Sequence, residues 1–264
     1  MYNEEGKKTD LLITFGCSWT LGIGCGYKPG MSQKEYHKVS HDPKYNDNHS
    51  FRSVLSKNLH LTNLNFSLPA ASNQQQFRLA KEFFPTMRFD EYRRTYSKII
   101  VLWGITSTAR NEMYSNDSNQ LLNFQYVKPL HTDRIIKAVG IHSYNHEHEV
   151  RTLNNEICFW NDYFANKGIT NFWFDSFNHH EYDNYYHNLI NFTGPKRDLL
   201  SQLSFLNNFH DIDNKYHQSK WEIDTNRIPP LIDAGILNPI SNHPTVQGHL
   251  QIAELFKPYI EEVL

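Results

Sequence analysis

Apolar positions along the chain follow two different periods. Four short runs, Leu11–Phe15, Asn63–Ser67, Lys98–Trp103 and Asn171–Phe174, are rich in Ile, Val, Leu and aromatic residues, the pattern of strands covered on both faces. Between them the apolar residues return at helical spacing, as Phe51, Val54, Leu55 and Leu59 in one segment and Phe77, Ala80, Phe83 and Phe84 in the next. Ser72 or Asn73 is placed to cap the second of these helices and Pro85 to stop it. A third helix is predicted from about Glu147 to Asn166, ending at Gly168, and a last one from about Val246 to Val263. Strands alternating with helices predict a mostly parallel sheet with right-handed crossovers.

Three stretches fall outside this rhythm: Lys28–Ser50, Ser107–Ser143 and His179–Pro230. Loops this long in a compact domain serve as lids, binding loops or small subdomains. They are read as insertions, at about 28–50, 107–143 and 179–230, in a single domain spanning residues 1–264. In an open parallel sheet ligands bind beyond the carboxyl ends of the strands. The residues to inspect are therefore Gly16-Cys17-Ser18-Trp19-Thr20-Leu21-Gly22, Leu68-Pro69-Ala70-Ala71-Ser72-Asn73 and Gly104-Ile105-Thr106-Ser107-Thr108-Ala109-Arg110. His243-Pro244-Thr245-Val246-Gln247-Gly248-His249 stands directly before the last helix.

Composition narrows the partners. With 26 Lys and Arg against 28 Asp and Glu, and a net charge of −2, the chain has no broad electropositive field, so nucleic acid is not an expected partner. Its apolar stretches fall short of the roughly 20 residues that span a bilayer, and MYNEEGKKTD lacks the apolar core of a signal peptide. The expectation is a soluble, cytoplasmic protein without a membrane partner. Cys17, Cys25 and Cys158 are odd in number and form no CxxC pair, which fits neither a disulfide framework nor structural zinc. His142, His146 and His148, with Glu147 and Glu149, lack HExxH spacing, so neither metal nor cofactor is expected. The aromatic content of 14% is read as packing before sugar stacking.

Ser18 and His243 come from opposite ends of the sequence, yet the predicted topology brings both to one edge of the sheet. A lone serine has no nucleophilic chemistry at neutral pH, and a histidine placed to take its proton supplies it. Each of these residues also has a plain reading. Ser18 would be a turn residue, His243 a helix cap, Cys17 a buried thiol, His249 a structural residue and Arg110 one half of a surface ion pair with Glu112.

At these positions the sequence resembles the SGNH (GDSL-type) hydrolases. "FGCSWTLG" is similar to the first block of that family, with Cys17 where the motif has Asp. "NFSLPAASNQQQ" resembles the second block, and "SNHPTVQGHLQIAELFKPYI" the fifth, whose His-Pro precedes the terminal helix. The resemblance runs from end to end of the chain in order. It implies a three-layer α/β/α sandwich of flavodoxin-like type with a mostly parallel central sheet. It also implies a catalytic serine, matched by Ser18, and a general base, matched by His243. The backbone N–H groups of Ser18 and Ala70 match two oxyanion-hole positions.

Four positions depart from the pattern. Besides Cys17, Ala70 stands where the family has Gly, which preserves the N–H donor but not Gly-only backbone angles. Thr106 replaces the Asn side chain of the third block, a loss of about 3 kcal/mol of transition-state stabilisation unless Thr106, Asn73 or Arg110 substitutes. Ile240 stands where the fifth block has its Asp, so that a backbone carbonyl orients His243, or the pair acts as a dyad, or a distant acid such as Asp233 reaches in. "WGITSTARNE" resembles a variant pattern of phage and bacterial SGNH-like proteins in which an Arg followed by an acid takes the place of the Asn. That makes Arg110 a candidate for holding an anionic or carbonyl group of the ligand.

The function implied is hydrolysis of an acyl ester, acetyl among the candidates, on a carbohydrate or small molecule through an acyl-enzyme on Ser18. The alternatives are a catalytically degenerate glycan-binding or structural module, and an acyltransferase whose long segments exclude water.

Overall fold

The computed structural model describes residues 8–115, 120–125, 144–177, 180, 188–190, 198–209 and 227–264. The first half runs β1 (Leu11–Phe15), α1 (Ser18–Leu21), α2 (Gln33–Val39), α3 (Pro43–His49), α4 (Phe51–Asn58), β2 (Thr62–Asn65), α5 (Asn73–Phe83), α6 (Met87–Thr95) and β3 (Ile99–Ile105). It continues with β4 (Arg110–Ser115), β5 (Gln120–Gln125), α7 (His146–Lys167), β6 (Thr170–Asp175), α8 (Leu199–Leu206), α9 (Ile228–Asp233) and α10 (Val246–Glu261).

The central sheet has the order β2-β1-β3-β6, and every pair in it is parallel, with Leu12 opposite Asn63 and Ile100, and Trp103 opposite Trp173. The first strand therefore lies inside the sheet, and the residues that follow it emerge at the middle of the carboxyl edge.

Alternation along the strands builds two cores. Leu11, Ile13 and Phe15 of β1 and Val101, Trp103 and Ile105 of β3 face one layer, with Phe77, Ala80 and Phe83 of α5, Phe89 of α6 and Leu153, Ile157, Trp160 and Phe164 of α7. Leu12, Ile100 and Leu102 point the other way, to Phe51 and Leu55 of α4, Leu199 and Leu203 of α8 and Ile252, Phe256 and Ile260 of α10. The result is a three-layer α/β/α arrangement, as expected from the sequence. Stacked rings stiffen its centre, with Phe15 and Trp103 centroids 4.3 Å apart and Trp103 and Trp173 4.8 Å apart. Each such pair adds about 1 kcal/mol beyond the area it buries.

Local signals set the element ends. Ser72 accepts a hydrogen bond from the Gln75 N–H at 3.1 Å and caps α5, and Gly168 ends α7 in the left-handed region at φ 65°. The 28–50 stretch is not a structureless loop. Ser32 and Glu35 form a capping box that starts α2, and Asp42 caps α3 with Pro43 at its first position. Part of the 107–143 stretch forms the antiparallel β4/β5 hairpin, while residues 126–143, His142 included, lie outside the described residues. The 179–230 stretch contributes α8 and the start of α9, and most of the rest of it, including His179 and His210, lies outside the described residues. No helix among the described residues is long and apolar enough to cross a membrane.

Candidate active site

The chain leaves β1 through Gly16 and Cys17, and Cys17 is the N-cap of the single-turn helix α1, which Gly22 closes in the left-handed region at φ 98°. Ser18 is the first helical residue, so its own N–H has no acceptor within the helix. A Cβ added at Gly104 would lie 2.7 Å from Thr20 Oγ1 and 2.7 Å from the Phe174 ring. The absence of that carbon lets Thr20 press α1 onto the end of β3. Ser18 is 7% exposed.

His243 arrives from the loop between α9 and α10, where Thr245 caps the helix by accepting from the Gly248 N–H. Gly24, at φ 118°, permits the approach, because a Cβ there would lie 2.2 Å from the Pro244 carbonyl and 2.9 Å from His243 Cβ. The outcome is a contact of 2.7 Å between His243 Nε2 and Ser18 Oγ. The two residues are 225 positions apart in sequence.

The other ring nitrogen, Nδ1, lies 2.9 Å from Ser241 Oγ. Ser241 Oγ in turn contacts Tyr36 Oη at 2.8 Å and Asn238 Oδ1 at 3.0 Å. Asp233 is exposed on α9, the side-chain group that meets Nδ1 is a serine hydroxyl, and a backbone hydrogen bond at Ser241 also acts on the ring. Of the three arrangements open for orienting His243, the distant acid Asp233 is exposed, while a backbone hydrogen bond at Ser241 and a Ser18–His243 pair are both present. Burial holds His243 down to about 4, with a backbone hydrogen bond at Ser241 acting upward and the Arg110 guanidinium and His41 acting downward. It is thus the neutral imidazole that faces Ser18 at neutral pH.

The remaining predicted residues separate. Ala70, after β2, adopts the left-handed conformation at φ 56° despite its Cβ, at a cost of about 1 kcal/mol. It keeps the backbone geometry that a glycine would give there, and it is exposed. Asn73 is committed elsewhere, since its Oδ1 accepts from the Thr106 N–H at 2.9 Å and its Nδ2 donates to the Thr106 carbonyl at 2.9 Å. Those bonds fasten the start of α5 to the end of β3. Thr106 itself is fully buried and its hydroxyl has no hydrogen-bond partner, so it does not open onto the site as an oxyanion donor.

Arg110 does not pair with Glu112. Glu112 takes the guanidinium of Arg78 in a fork, at 3.1 and 2.9 Å, a geometry that leaves no oxygen idle. Arg110 instead lies over the Phe177 ring at 4.8 Å, and its Nη1 is buried without a hydrogen-bond partner. It also lines a cavity of about 420 Å³ between α5 and α7, with Asn73, Phe77, Thr108 and Glu149.

The plain readings hold for two other residues. Cys17 is a buried free thiol, and His249, fully buried, accepts the Phe51 N–H at 3.3 Å and so caps α4. His146 Nδ1 contacts Thr108 Oγ1 and Tyr144 Oη at 3.4 and 3.2 Å, and no cluster of metal-ligating side chains occurs among the described residues. The sequence reading missed Tyr36, Asn238 and the role of Ser241. Tyr36 and Ser241 are 205 positions apart, and no motif links them.

No protein-family model and no curated protein matches the sequence. Solved structures do. One is a chain from Desulfitobacterium hafniense DCB-2 assigned to the lipolytic G-D-S-L family, 15% identical, covering 97% of this chain and 99% of that one, with a TM-score of 0.40. Another is an acetyl xylan esterase from the rumen bacterium Butyrivibrio proteoclasticus, 12% identical, covering 100% of this chain and 65% of that one, with a TM-score of 0.43. The chain thus spans just under two thirds of the length of that esterase. At such scores the likeness assigns no residue a role, and the chemistry rests on the geometry of this chain.

Proposed function

We propose that the protein is a serine esterase of the SGNH type, acting on an acyl ester of a carbohydrate or small molecule, with acetyl esters the first to try. The observation that carries this reading is the 2.7 Å contact between Ser18 Oγ and His243 Nε2 at the carboxyl edge of the sheet. Ser18 Oγ attacks the ester carbonyl as its proton passes to His243 Nε2. The tetrahedral oxyanion forms against the N–H groups of Ser18 and Ala70. The imidazolium then gives its proton to the leaving alcohol, and an acyl-enzyme remains on Ser18. Water, deprotonated by the same nitrogen, releases the carboxylic acid. Arg110, without a carboxylate partner among the described residues, would hold a carbonyl or anionic group of the substrate in this reading.

Two features make a slow catalyst of this arrangement. Among the described residues no carboxylate contacts the imidazolium as it forms, and Asn73 and Thr106 supply no third oxyanion donor. The test is hydrolysis of p-nitrophenyl acetate by the wild type, Ser18→Ala and His243→Ala. Each substitution is expected to lower kcat by at least about 10³-fold while the Tm stays within a few degrees. A wild type with no turnover and no acylation would leave a ligand-binding module. Transfer of the acetyl group to an added sugar in preference to water would make the protein an acyltransferase.

A further inference from the structure

The loop that carries His243 holds a closed set of polar contacts whose proton directions can be worked out from its backbone. Asn238 is fully buried. Its Oδ1 accepts the Ser241 N–H at 2.8 Å and the Ile240 N–H at 3.2 Å, while its Nδ2 donates to the His243 carbonyl at 3.0 Å. Backbone donors and a backbone acceptor therefore fix which way the amide faces. Because Oδ1 carries no proton, the 3.0 Å contact with Ser241 Oγ requires the serine hydroxyl to donate. That uses the one proton Ser241 has. Its two remaining neighbours, Tyr36 Oη at 2.8 Å and His243 Nδ1 at 2.9 Å, must then both donate to it.

We propose that Asn238, Ser241 and Tyr36 are positioning residues that hold the proton of neutral His243 on Nδ1, replacing with neutral dipoles the carboxylate whose place Ile240 occupies. This rests on the reading of Ser18 and His243 as the catalytic pair. With Nδ1 protonated, Nε2 presents its lone pair to Ser18 Oγ at 2.7 Å, as a general base requires. Tyr36 is able to donate throughout, because burial keeps its phenol protonated, against the opposing hydrogen bonds of Ser241 and Asn238. Tyr36 is 1% exposed and is the buried residue of α2. A neutral relay selects the tautomer without attracting a second proton to the imidazole.

Two readouts test this. In protein labelled with ¹⁵N on its histidines, the His243 resonances at pH 7 are expected to show a protonated Nδ1 and a bare Nε2, and in Ser241→Ala a mixture of the two tautomers. In steady-state hydrolysis of p-nitrophenyl acetate, Ser241→Ala is expected to lower kcat by about 10- to 100-fold with KM within about threefold. Ser241→Thr, which keeps the hydroxyl, restores most of the rate, and Tyr36→Phe falls between. Wild-type kcat and unchanged His243 resonances in both Ser241→Ala and Tyr36→Phe would overturn the proposal. A wild type inactive on every ester would contradict the esterase reading instead, and the nitrogen resonances would still decide the tautomer question.

Discussion

The two loops that meet at the Ser18–His243 contact are held by different forces. The serine loop is fixed by exclusion of volume. Thr20 fills the space left by the missing Cβ of Gly104, and Trp19 packs edge-on to Phe177 with centroids 5.9 Å apart. The histidine loop is fixed by direction, through the contacts of Asn238 Oδ1, Tyr36 Oη and His243 Nδ1 that converge on the Ser241 hydroxyl. A volume constraint belongs to the core, so disturbing it costs stability and activity together. A directional constraint can fail while the core stands.

The sharpest way to break this comparison is on the serine side. Gly104→Ala would place a carbon 2.7 Å from both Thr20 Oγ1 and the Phe174 ring, and since these groups are buried, relief requires α1 to move. The expected result is a loss of about 2 kcal/mol of stability, together with a loss of about 100-fold in kcat/KM from misplacement of Ser18. Thermal denaturation and p-nitrophenyl acetate kinetics on the same sample check it. By contrast, Ser241→Ala should lower the rate and leave the Tm nearly unmoved. If the two substitutions lowered Tm equally, the distinction between volume and direction would fail.

A smaller effect follows from the charge state of His243. Its ring must be neutral to accept the Ser18 proton, and burial, with Arg110 and His41, holds its pKa down to about 4 from the ordinary 6.5. The base form therefore persists as the pH falls through 6.5, and is lost only as the pH falls through about 4. A plot of kcat/KM against pH is expected to stay flat between pH 5 and 7 and to bend downward near pH 4. A bend near 6.5 would place His243 in a wetter or more anionic setting than the structure gives it.

The smallest effect belongs to the turn at Ala70, which follows β2. Ala70→Gly removes the strain at φ 56° but frees the unfolded chain, two terms of about 1 kcal/mol each that oppose one another. Stability should change by less than about 1 kcal/mol and the rate by less than about threefold, because the N–H stays where it is. A loss of 100-fold would show that the Ala70 methyl, and not only its N–H, contacts the substrate.

How far the sequence reveals this site depends on the kind of constraint. The strands β1, β2, β3 and β6 and the helices α4, α5, α7 and α10 are legible from their apolar runs and spacing, and Ser72 and Gly168 mark ends that have a backbone reason, whereas the β4/β5 hairpin is not. The helices α2 and α3 are not legible by period, since only Tyr36 and Asn46 of their residues are buried. Their caps, Ser32 with Glu35 and Asp42 with Pro43, were the available signal. Ser18 and His243 can be placed at one edge because topology alone brings strand ends together. Which group orients His243 is not legible, because it depends on Tyr36 lying beside Ser241 across 205 residues. Nor does the sequence show that Glu112 turns to Arg78, which leaves Arg110 for other work.

The most direct measurement is covalent. The protein is treated with a fluorophosphonate at pH 7 and the modified peptide is located by mass spectrometry, with Ser18→Ala and His243→Ala alongside. A single adduct on Ser18 is predicted, absent from Ser18→Ala and slowed by at least about 10³-fold in His243→Ala. Labelling that persists in Ser18→Ala, or a wild type that is never labelled, would contradict the account.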